Sequence, residues 1–181
     1  MPFAYLDIEN PICAWATYRG KLALPPNDSG FVSVWLTGLV RSGDSARYQR
    51  EVALEIVRSA KFPQNISRLR CIFCFETKNL ALKALAWGGD GRNHFQQDSL
   101  AELSFEEPIP AFQRFDANWI SHSDGLNKSE TSWMESYWAG DPFPGANPHW
   151  ETLCVGNLTV HDVEIRRRAY ENLRAFCGCR P

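Results

Sequence analysis

The sequence predicts a single α+β domain spanning residues 1–181. Segments rich in β-branched and aromatic residues are interspersed with helical patterns, without the regular strand–helix alternation of a parallel sheet. A chain of 181 residues that is 44% hydrophobic, with seven Trp and eleven Phe, can bury a full core without staples.

Residues 12–19, ICAWATYR, carry aromatic and branched side chains and stop at Gly20, which predicts a first strand. A turn follows at 25–30, PPNDSG. Residues 31–40, FVSVWLTGLV, are apolar on all sides, so periodicity leaves strand and buried helix open. From Ser45, the residues Tyr48, Val52, Ile56 and Ala60 recur every four positions, giving an amphipathic helix closed by Pro63. Residues 69–75, LRCIFCF, predict a central strand, and Thr77 is placed to cap the helix of LALKALAWGG. The GGDG at 88–91 follows that helix and reads as its stop and turn.

A further strand is expected within 98–107, DSLAELSFEE. Residues 108–148 are rich in Pro, Gly, Asn and aromatics, predicting loops around short helices near 116–120 and 129–138. Strand character resumes over 152–160, and the segment after Asp162, VEIRRRAYENLRAF, predicts a last helix.

The net charge of -2 and pI near 6.1 exclude a generally basic nucleic-acid binder but leave room for local patches. Arginines cluster at Arg41, Arg47, Arg50 and Arg58, at Arg68 and Arg70, and at Arg166 to Arg168. The N-terminus has no signal-peptide pattern, and no apolar run is long enough for a membrane span. The expectation is a soluble, unprocessed, cytoplasmic chain, in which the sequons at Asn65, Asn127 and Asn157 have no use. Strand alternation sends Cys71 and Cys74 to opposite faces, and Cys177 and Cys179 lie in the tail. Reduced thiols and no metal site are therefore expected.

The GxGxxG, GxxxxGK[ST], HExxH and GxSxG motifs are absent, and His94, His122, His149 and His161 form no i, i+4 pair. Three places still combine chemistry with position. Arg19 stands beside Gly20 at the end of the first expected strand. Ser67 and Arg68 stand at the entry of the central strand. Glu151 stands at the start of the late strand, behind the Trp- and Pro-rich loop of ESYWAGDPFPGANPHWETLCVG. Singly, each has an ordinary reading: a surface arginine, a turn former, and a charge that blocks edge pairing.

In this order the three places resemble the ADP-ribosyltransferase superfamily of Arg-Ser-Glu type. The segments SRLRCIFCFE, YWAG and WETLCVG are also similar to small bacterial proteins grouped near it. The resemblance implies a split β-sandwich of two small sheets around an NAD cleft, flanked by helices. It implies a glycosyltransferase: a mono-ADP-ribosyltransferase of toxin or effector type with NAD as co-substrate. Arg19, with Tyr18 before it, would match the arginine that holds NAD, and Ser67 the serine that supports the nicotinamide pocket. Glu151 would match the catalytic glutamate beside the nicotinamide ribose. Tyr137 and Trp138, just ahead of it, either border the acceptor or nicotinamide site or pack in the core, and Arg68 shares the inward face of its strand only if Leu69 does not. A fixed carboxylate suits this chemistry because glycosidic cleavage passes through an oxocarbenium-like state, and arginine suits phosphate because of its bidentate fork.

The second motif reads Ser67-Arg68-Leu69 in place of the usual Ser-Thr-Ser. His149 stands where arginine-modifying members carry Gln or Glu, which points away from arginine and toward another macromolecular acceptor, RNA or DNA included. Arg166 to Arg168 would then have a second use beside solvating the last helix. A toxin of this kind implies a bacterial toxin–antitoxin pair with a cognate antitoxin protein. Two alternatives share the fold: an NAD glycohydrolase with water as acceptor, and a non-catalytic binding module.

Overall fold

The computed structural model describes residues 1–24, 33–87, 95–106, 111–123 and 131–178. The turn expected at 25–30, the GGDG run, His94, Asn127 and Cys179 lie outside them. The described residues form an α+β fold. Its strands are β1 (Phe3–Tyr5), β2 (Lys21–Leu24), β3 (Ile72–Cys74), β4 (Leu100–Phe105), β5 (Ala111–Asp116) and β6 (Trp150–Val160). Its helices are α1 (Pro11–Arg19), α2 (Val34–Ser42), α3 (Ser45–Lys61), α4 (Lys78–Ala84), α5 (Asn118–Ser121), α6 (Ser132–Ala139) and α7 (Val163–Phe176).

The first expected strand is a helix, α1. Asn10 accepts hydrogen bonds from the backbone N–H of Ile12 and Cys13, and Pro11 occupies the first turn. Gly20, at φ 73°, closes the helix in the left-handed conformation. These local end signals outweigh the strand propensity of the aromatic residues between them. Ser33, accepting from Leu36 N–H, likewise resolves the following segment as helix α2.

Helix α3 forms as expected, but it turns a different face inward. Glu51, Leu54 and Val57 are buried, while Tyr48 and Ile56 of the four-residue stripe are exposed. The carboxylate of Glu51 lies inside because a guanidinium from another element meets it there. The central strand is shorter than expected: Arg68–Arg70 forms a 3₁₀ turn capped by Ser67, Ile72–Cys74 forms the strand, and Phe75 adds a single bridge to Phe3. The strand β5 was hidden in a segment whose Pro and Gly content predicts loops.

The long strand β6 organises the sheet. Its first half pairs with β5, placing Phe115 opposite Glu151, and with β3, placing Cys74 opposite Thr152. Its second half pairs with β2 and β4, and β1 extends β4. Gly156, at φ 135°, stands where the two pairings meet, a backbone state that side-chain-bearing residues rarely adopt.

Alternation along β6 feeds two cores. Cys154, Leu158 and Val160 pack with α1 and α7, whereas Leu153 packs with α3, α5 and α6. A smaller cluster joins Phe75 to α4. Cys13, Cys71, Cys74 and Cys154 are buried free thiols, and Cys177 is an exposed one. No helix among the described residues is long and apolar enough to cross a membrane.

Candidate functional site

The second core encloses a cluster of charges at the start of β6. Beyond α3, the Arg58 guanidinium donates to the carbonyls of Pro63 (3.2 Å) and Asn65 (2.9 Å), turning the chain back. Asn65 donates to the Trp138 carbonyl at 2.7 Å, tying that turn to α6. Ser67 then donates its hydroxyl to Glu55 at 2.8 Å and accepts from Leu69 N–H at 3.2 Å.

The adjoining Arg68 points into the interior and is buried. Its Nε and Nη2 grip both oxygens of Glu51, at 2.9 and 3.1 Å. Its Nη1 donates to the Tyr137 hydroxyl at 2.8 Å and to Oε1 of Glu151. The Tyr137 hydroxyl in turn donates to the same Oε1 at 2.9 Å. The rings of Phe73 and Tyr137 lie 4.8 and 5.4 Å from the guanidinium carbon.

This arrangement treats the two oxygens of Glu151 differently. Oε1 is held by two donors, whereas Oε2 receives none from the described residues and is not a buried orphan. The Glu151 side chain keeps 11% of its surface exposed. Two carboxylates, Glu51 and Glu151, share one guanidinium, so with both ionised the cluster carries one net negative charge. Burial raises the pKa of Glu151 and the charge of Glu51 adds to this, against the lowering effects of Arg68 and Tyr137. Burial opposes the charge of Arg68, but Glu151 and Glu51 outweigh it and raise its pKa. Burial also holds the Tyr137 hydroxyl protonated.

The loop that delivers Glu151 is anchored by a third buried carboxylate. Asp116 accepts backbone N–H bonds from Asn118 (3.0 Å), Phe143 (2.8 Å) and His149 (2.8 Å). The Trp119 indole donates to the Asp141 carbonyl and Asn118 to the Asn147 carbonyl, both at 2.8 Å. The His149 ring stacks on Trp87 at 4.7 Å, and burial lowers its pKa. Among the described residues no group of three His, Cys, Asp or Glu is placed to hold a metal ion.

Three of the six residues expected at the site, Arg68, Tyr137 and Glu151, thus converge, while Ser67 adjoins Arg68 in the chain with its hydroxyl bonded to Glu55. Tyr18 and Arg19 do not join them. The expected strand end there is the C-terminus of α1, where a cation also favours the helix dipole. The Gly20 carbonyl accepts from Val160 N–H, at the opposite end of β6 from Glu151. Nine residue steps of strand lie between the two ends, at most about 30 Å at the rise of a fully extended chain. Arg19 instead lies over the Trp15 ring, and Tyr18 packs near Tyr170.

Glu51, Glu55 and Asp116 are members of the network that sequence reasoning missed. Glu51 and Glu55 stand one helical turn apart on α3, a signal readable only once its inward face is known.

A family model, Protein of unknown function (DUF2441), matches residues 23–167. The matched span contains Ser67, Arg68, Tyr137 and Glu151 and excludes Tyr18 and Arg19. No curated protein matches the chain.

Proposed function

We propose that this chain, a member of the DUF2441 family, is an NAD-dependent mono-ADP-ribosyltransferase of toxin or effector type. The observation that supports this reading most is the setting of Glu151: one oxygen pinned by Tyr137 and Arg68, the other without a donor among the described residues, in a cluster where two carboxylates share one guanidinium. Cleavage of NAD breaks the bond between nicotinamide and its ribose. The bonding pair leaves with the ring nitrogen, and positive charge develops on the sugar. A rigid carboxylate with a free oxygen stabilises that charge in the transition state without reorganising.

In this reading Glu151 contacts the ribose, Tyr137 and Arg68 position it, and Ser67 anchors the wall that carries Arg68. The acceptor's nucleophilic atom bonds to the anomeric carbon and gives up its proton. RNA or DNA fits the absence of the arginine-modifying signature, since His149 is engaged with Trp87 rather than carrying a second carboxylate. The described strands form one six-stranded antiparallel sheet that shares β6, where the resemblance implies two small sheets. Arg19 stands at the opposite end of β6 from Glu151, so the reading rests on the second and third motifs.

The enclosure of Glu151, 11% exposed and bonded to Arg68, favours a second reading: a non-catalytic binding module stabilised by a buried ion cluster. Incubation with labelled NAD and a pool of RNA, DNA and protein separates these. Label on a macromolecule supports the transferase and free ADP-ribose the glycohydrolase. Intact NAD rejects both enzymes in favour of the binding module.

A further inference from the structure

The face far from Glu151 carries a set of side chains that the site does not use. On α1, Ile12, Trp15 and Tyr18 recur at helical spacing and are 53%, 53% and 37% exposed. On α7, Arg166, Tyr170 and Arg174 recur every four residues along one face, with Tyr170 42% exposed. The two stripes meet. Tyr18 lies 5.2 Å from Tyr170 and 6.0 Å from Trp15, and the Arg166 Nε donates to the Tyr18 carbonyl at 3.2 Å.

The arginines of α7 divide into two groups. Arg167 pairs with Glu164 and Glu171, and Arg168 with Asp98. Arg166, Arg174 and the adjoining Arg19 have no carboxylate partner among the described residues. The result is a contiguous surface of exposed aromatic rings bordered by three guanidinium groups with unused donors. Exposed Trp, Tyr and Arg in one patch have the composition of a protein-binding centre.

We infer that the α1–α7 face is a docking surface for an acidic protein partner, one that brings carboxylates to Arg19, Arg166 and Arg174 around an apolar contact with Trp15, Tyr18 and Tyr170. Charge complementarity sets the sign of the partner. Ring geometry selects protein over a nucleic-acid strand. The Arg19 guanidinium lies 5.7 Å from the Trp15 centroid and Arg174 lies 5.8 Å from that of Tyr170. Arg19 and Arg174 thus each cover a ring face on which a base would stack. Guanidinium forks match carboxylates in two-pronged fashion. The inference is independent of NAD cleavage.

The test uses the full chain and three fluorescein-labelled probes read by anisotropy. They are a peptide alternating Glu with Leu and Phe, the same peptide with every Glu replaced by Gln, and oligo-dT of similar length. The acidic peptide is expected to bind at least about tenfold more tightly than the Gln peptide, a difference of about 1.4 kcal/mol. The double variant Arg19→Gln/Arg174→Gln is expected to erase that difference, and Trp15→Ala to weaken both peptides, with circular dichroism unchanged. Stronger binding of oligo-dT, no preference for the acidic peptide, or a preference that survives the double variant would each overturn the inference.

Discussion

Arg68 and Glu151, 83 residues apart in sequence, meet inside the protein through a hydrogen bond from Nη1 to Oε1. The same guanidinium holds Glu51 through its other nitrogens. Charge balance therefore depends on which member is removed. Arg68→Ala leaves two buried carboxylates facing each other without a cation and is expected to cost about 3–5 kcal/mol. Glu151→Gln leaves one guanidinium with one carboxylate, and its amide oxygen still accepts from Tyr137, so its cost is expected to stay within about 1 kcal/mol. Urea unfolding at neutral pH measures both. Equal destabilisation by the two variants would contradict the charge count.

The neighbours of Glu151 shift its ionisation in opposite directions. Burial is the largest cause of its raised pKa and Glu51 adds to it, while the hydrogen bond from Tyr137 lowers it. Glu51→Gln is thus expected to move the titration of Glu151 to lower pH, and Tyr137→Phe to move it higher. Carbon-13 NMR of the labelled glutamate carboxyls reports this directly. If the ionised carboxylate stabilises the ribosyl cation, the acid limb of NAD cleavage lies above the ordinary Glu value of about 4.3 and shifts with the same signs. A single direction for both variants would contradict the assigned network.

Asp116 fixes the loop ahead of β6 by accepting three backbone N–H groups while fully buried. Asp116→Asn retains one acceptor oxygen but turns an amide N–H toward a backbone donor. The expected loss is about 1–3 kcal/mol, larger for Asp116→Ala, which abandons all three donors. Hydrogen exchange should show the amides of Phe143 and His149 losing protection before those of β6. Unchanged protection at both amides would remove Asp116 from this role.

Much of this organisation was legible from local pattern. Thr77 caps its helix where expected, the last helix begins after Asp162 as expected, and β6 follows its apolar run. Residues 12–19 misled because their aromatic content speaks for strand, while Asn10, Pro11 and Gly20 decide for helix at the ends. The inward face of α3 was illegible from α3 alone. Glu51 is buried only because Arg68, on a separate element, neutralises it, and that pairing is a property of the tertiary fold. Position along β6 separates Arg19 from Glu151 for the same reason: chain order suggested one site, and strand length puts them at opposite ends.

The most direct measurement of the central claim is the rate of nicotinamide release from NAD by the wild-type chain and by Glu151→Gln, with folding checked by thermal melting. The account predicts release by the wild type and a loss of at least about 100-fold in the variant, equivalent to about 2.7 kcal/mol of transition-state stabilisation, with little change in melting temperature. Equal rates in the two proteins, or no release by either in the presence of RNA, DNA and protein acceptors, would contradict it.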